Sequence, residues 1–177
     1  MVENIAKQMV ADLSKENIVI AIWWKRAFAF VLDIIFILGT LVLFTSGRIT
    51  FAWEFIILFE NPSETIFWFL INWFLIFAAF WLYFKYSGRI MQRSLGQRFL
   101  KLAIIYGDGT MMPEKNWEKR AFYKLRYLLP LIGIIIGIID LIKIMRGETH
   151  QSRIDWYTNT IVVMDWSLPS EIRVLLK

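Results

Sequence analysis

The chain has 177 residues, 58% hydrophobic and 17% aromatic, with a formal charge of +5 and a mean hydropathy of +0.52. A soluble domain is nearer 45–50% apolar, so these values describe an integral membrane protein. Without cysteine there are no disulfides and no thiolate chemistry. With a single histidine, His150, there is no imidazole cluster to bind zinc or copper. The basic residues lie beside apolar segments, which points to membrane orientation and away from nucleic acid.

In chain order, residues 1–17 place Ile5, Met9, Val10 and Leu13 on one side of a helix. That pattern suits a segment lying on the membrane surface. Trp23 and Trp24 then stand as interfacial anchors before Lys25 and Arg26. Residues 27–44 form a run of about 18 residues, apolar but for Asp33, long enough for a first membrane span. Residues 48–60 are aromatic-rich but interrupted by Glu54, and read as an interfacial helix. Residues 66–84 are a second span, containing Asn72.

Residues 85–126 are dense in Lys and Arg, whereas the connection before them holds only Arg48. The positive-inside rule therefore puts this basic loop, and the N-terminus, in the cytoplasm. Within it, residues 102–106 are strand-like, Asp108-Gly109 marks a tight turn, and residues 110–112 are expected to return as a hairpin. Residues 128–142 form a third apolar segment, too short for an easy crossing and loosened by Pro130, Gly133 and Gly137. It either crosses or re-enters. The basic residues after it, and the need of strand-like residues 160–164 for a partner, favour re-entry, with the 143–177 tail in the cytoplasm.

The expected fold is thus an all-α membrane protein. It is a small helical bundle with two transmembrane helices, a third short or re-entrant apolar helix, interfacial helices and a minor cytoplasmic β-hairpin or strand element.

A carboxylate within a span costs roughly 2.5–3.5 kcal/mol on insertion scales, so Asp33 is the first candidate functional residue. Arg26 lies seven residues earlier, about 10.5 Å along a helix axis, too far for a direct pair. Each needs a partner elsewhere. Asp33 is read in two ways: as a proton or hard-cation carrier, or as the partner of an arginine such as Arg120 that locks the bundle. Arg26 either tunes that site or snorkels to the interface. Asn72 is an ion ligand or interhelical glue. Asp140 completes an ion site with Asp33 or marks the interface with Lys143, and Asp155 reads as a structural contact or cap. No carboxylate spacing suggests acid–base catalysis. No catalytic residue, metal site or cofactor is expected, and the chain is not read as an enzyme.

Several separated motifs also coincide. The segment WWKRAFAFVLDII holds Arg26 and Asp33, SLGQRFLKLAIIYGDGT holds Gly96, Arg120 precedes the Pro-containing stretch that ends near Asp140, and HQSRIDWYTNTIVV holds Asp155 and Thr160. In this order the chain resembles the RDD family of bacterial membrane proteins, named for an Arg and two Asp, over roughly residues 20–165. Gln97 stands where the family usually has Lys, and Lys101 where it has Gly. Trp156, Tyr157 and Asn159 replace small residues. The resemblance implies a multi-pass protein of the bacterial cytoplasmic membrane, with transport of small ions, including monovalent cation/proton exchange, suggested for the family. Two or three spans cannot enclose a pathway alone, so transport requires a homo-oligomer. The alternative is a non-transporting scaffold or accessory subunit of a larger membrane assembly. The bilayer is the expected partner, with anionic lipids at the basic loop.

Overall fold

A computed structural model describes residues 17–47 and 62–176. The interfacial segment expected at 48–60, and the surface helix expected at 1–17 except for Asn17, lie outside the described residues. Helix α1 spans Trp23–Phe44 and helix α2 spans Pro62–Met91. Both are long and apolar enough to cross a membrane. Only Ala29, Asp33 and Ile37 of α1 are buried, a single stripe at four-residue spacing. Phe28, Val31, Ile35 and Phe36 on its other faces are exposed, as are Phe74 and Leu70 on α2. A soluble monomer rarely leaves such large apolar patches uncovered, so lipid is their solvent.

The second helix outruns the expected span, continuing past Phe84 through Lys85 and Arg89 to Met91. Charge marks where the apolar run stops; it does not stop the helix. The extension packs against α4, Glu114–Lys124, where a side chain on Gly88 would overlap the Trp117 indole. Helix α3, Leu95–Phe99, precedes strand β1, Leu102–Tyr106. The basic stretch 85–126 is therefore folded structure throughout much of its length.

Strand β1 pairs antiparallel with β2, Thr160–Met164, in the register Leu102↔Met164 to Tyr106↔Thr160. The hairpin expected from residues 110–112 shrinks to one bridge, Ile105↔Met111. The Asp108-Gly109 turn itself forms, with the Tyr106 N–H donating to the Thr110 carbonyl at 2.9 Å. On the other edge, residues before α1 extend the sheet through the Ile20↔Val163 bridge. One face of the sheet packs Leu102, Ile104 and Val162 onto Ala29 and Trp117. The other packs Ile105, Ile161 and Val163 onto Ile18 and Leu168. Both faces are covered, so neither strand alternates polar with apolar residues.

The third apolar segment forms helix α5, Ile132–Arg146, four residues later than 128–142. A 3₁₀ turn at Leu125–Leu128 precedes it, and the chain bends by 116° between Glu114–Leu128 and α5. Pro130 denies the helix a donor at the bend, and Leu131 takes φ 59°. Gly133 is needed there, because a Cβ would overlap the Tyr127 carbonyl. After α5 come α6, Arg153–Thr158, and, beyond β2, α7, Ser170–Arg173. Since β2 returns to β1, the segment beyond α5 ends beside the sheet from which α4 departed.

Candidate functional site

The site is a set of buried charges where α1, α3, α4, α5 and α6 meet. Asp33 is fully buried and pairs with no arginine among the described residues. Its Oδ1 accepts from the Tyr83 hydroxyl at 2.5 Å and from the Gly96 N–H at 2.8 Å, and its Oδ2 accepts from Ser94 Oγ at 2.6 Å. Ser94 is the N-cap of α3, in a capping box with Gln97, so Asp33 tops a helix start whose N–H groups lack internal partners. Gly96 allows this approach: a Cβ there would run into the Ala29 carbonyl of α1. Tyr83 in turn accepts from the Leu95 N–H at 3.0 Å. One carboxylate thereby ties both long helices to the loop between α2 and β1.

Arg120, expected as Asp33's partner, belongs to a second cluster. Its guanidinium donates to Asp155 Oδ1 at 2.5 Å, Thr160 Oγ1 at 2.5 Å and Thr158 Oγ1 at 3.1 Å. Helix α6 lasts under two turns, and Asn159 ends it in the left-handed conformation at φ 56°. That reversal brings Thr160 back to the cation that Asp155 already holds. Arg26 does not snorkel: it pairs with Asp155 Oδ2 and donates to the His150 carbonyl at 2.7 Å. Asp155 also accepts from Ser152 in the capping box of α6. Burial pushes its carboxyl up, but Arg26, Arg120 and the Ser152 N–H outweigh that and hold it well below the usual carboxylate range.

Asp140 forms a third cluster, with Arg126 at 2.8 Å, the Tyr127 hydroxyl at 2.6 Å and Arg153 at 3.5 Å. These, and not Lys143, are its partners, because the bend at Pro130 folds α5 back against the residues preceding it. Asn72 does not join the site. It stands eleven residues before Tyr83 on α2, about 16 Å along the axis.

Between α1 and α5 lies a cavity of about 360 Å³ whose walls include Arg26, Asp33, Arg120, Lys124 and Asp140. The structure thus gathers four of the five expected charges and ligands around one space. Tyr83, Ser94, Tyr127 and Lys124 escaped the sequence reading. A carboxylate within a span demands a donor, and the Tyr83 hydroxyl within the second span was the nearest available signal. Among the described residues no group of three His, Cys, Asp or Glu could hold a metal ion.

The RDD family model matches residues 20–159. The chain belongs to the RDD family. The matched span covers Arg26, Asp33, Gly96, Arg120, Asp140 and Asp155. No curated protein and no solved structure matches the RDD chain.

Proposed function

We propose that this RDD domain is a membrane scaffold or accessory subunit, whose motif charges hold its helices onto the small sheet. The observation that carries this reading is that Asp33 and Asp155 are each held by several donors from within the chain. An ionised carboxylate has about four acceptor sites, and three at Asp33 are taken by donors fixed on other elements. A carrier needs sites that an ion can take and leave. The test is cation-dependent proton flux in proteoliposomes, comparing wild type with Asp33→Asn at equal folded yield. No flux in either protein is expected; wild-type flux that Asp33→Asn abolishes overturns the scaffold reading.

A second reading, small-ion transport as monovalent cation/proton exchange by a homo-oligomer, is favoured by one observation: Asp33 and Asp140 line the same cavity. The same flux measurement separates the two.

The proposed placement is multi-pass in the bacterial cytoplasmic membrane, with N-terminus, basic stretch and tail in the cytoplasm and α5 entering and leaving by one face. Its support is the β1–β2 pairing together with the concentration of Lys and Arg around the sheet. The chain has no cysteine, so Glu171→Cys, at an exposed position, supplies a unique label. Labelling only after permeabilisation is expected; labelling from outside intact cells removes this topology.

A further inference from the structure

We propose that the cavity between α1 and α5 binds a single-chain anionic amphiphile, a long-chain carboxylate taken from the surrounding bilayer. The cavity's volume, about 360 Å³, falls within the range of small-molecule sites. Its walls are of two kinds. Toward the lipid they are apolar, with Phe30, Val31 and Ile34 on α1 facing Ile134, Ile138 and Leu141 on α5. Val31, Ile134 and Ile138 are exposed, so the mouth opens where acyl chains already lie. Gly133 and Gly137 add no side chain to that wall.

The inner end is charged, and the charge is positive in sum. Asp155 is flanked by two guanidiniums, Arg26 and Arg120. Asp140 is likewise flanked by Arg126 and Arg153. Lys124 rests its ammonium 3.7 Å from the Phe84 ring centroid, and no carboxylate among the described residues forms an ion pair with it. Of these charges, Arg26, Arg120 and Lys124 line the cavity itself, against Asp33 and Asp140. The excess is Lys124. Burial lowers the pKa of its ammonium to about 7, so an anion beside it restores the proton that burial disfavours. In a weakly screened setting an added cation is repelled and an added anion is drawn in. A small inorganic anion would leave the apolar wall unfilled, and a neutral amphiphile would leave the excess charge unmet. An alkyl chain ending in a carboxylate answers both.

The test is calorimetric titration of the purified chain, delipidated in uncharged detergent, with oleate, monoolein (the same chain, a neutral head) and acetate (the same head, no chain). Saturable oleate binding near one per chain is expected, with monoolein at least tenfold weaker and acetate silent. Gly137→Leu fills the cavity without touching a charge, since a Cβ there meets nothing nearer than Tyr127 Cδ1 at 4.0 Å. It should weaken oleate at least tenfold at an unchanged melting temperature, and Ile138→Trp at the mouth gives a second block should the first variant fold poorly. Lys124→Gln should weaken oleate and leave monoolein unchanged. Equal binding of oleate and monoolein overturns the anionic assignment, and unsaturable oleate uptake overturns the site. Oleate affinity unchanged in a folded blocking variant overturns its location. None of these outcomes depends on the flux measurement, so this site and the scaffold reading fail separately.

Discussion

Tyr83 and Asp33 lie fifty positions apart in the sequence and 2.5 Å apart through their oxygens. Their bond joins the two long helices, and the same hydroxyl accepts the Leu95 N–H that opens α3. Tyr83→Phe removes a donor from a buried carboxylate and strands an amide. A loss of about 1–3 kcal/mol is expected, read as a lower thermal midpoint in detergent micelles. A midpoint equal to wild type would mean this contact carries no weight in the fold.

Two glycines of the same region make a contrasting pair. Gly96 sits against the Ala29 carbonyl, whereas an added Cβ at Gly39, on α1, meets nothing within 4 Å. Gly96→Ala should force α3 away from α1 and cost about 1–3 kcal/mol. Gly39→Ala should be neutral or stabilise by up to about 1 kcal/mol, because alanine loses less backbone freedom in a helix. Unfolding curves of the two variants side by side check this, and equal destabilisation would contradict the close approach.

Arg120 reaches Asp155, Thr158 and Thr160 with a planar fork, which a lysine ammonium cannot reproduce. Arg120→Lys keeps the charge and should still cost about 1–3 kcal/mol. A double-mutant cycle with Thr160→Val measures how much of that loss runs through the threonine; zero coupling would show that the hydroxyl contact is incidental.

Asp155→Asn leaves two guanidiniums buried beside a neutral amide, and about 3–5 kcal/mol of destabilisation is expected. The pH dependence follows from the direction of the carboxyl's shift. Because its folded pKa is depressed, its contribution to stability is complete above about pH 4, the ordinary unfolded value. It is lost as acidity increases below that point. Wild type should lose stability more steeply than Asp155→Asn below about pH 4. Parallel stability–pH profiles would count against the buried ion cluster.

Much of this was readable along the chain. The spans around Asp33 and Asn72, the Asp108-Gly109 turn and both strand segments are local patterns of apolar spacing and turn chemistry; the turn and strands reappear where expected, the two long helices with shifted ends. The ends moved because hydropathy reports where lipid stops, while helices such as α2 continue until a residue like Gln92, at φ 57°, ends them. The pairings were not readable. Asp33 looked like a mate for Arg120, yet α3 arrives first and caps it with Ser94 and Gly96. Residues 110–112 looked like a returning strand, but only Met111 bridges back to Ile105, and β2 pairs along the opposite edge of β1.

By itself the sequence determined that this chain lives in a membrane, which stretches meet lipid, and that buried charges there need partners. Those follow from transfer free energies and helix or strand periodicity, properties of a few neighbouring residues. Which cation meets which carboxylate, where the sheet closes, and that a cavity remains between α1 and α5 were decided only by tertiary structure. Such pairings depend on how distant elements pack, on a glycine's clearance here and a bend at a proline there, and no local pattern encodes that geometry.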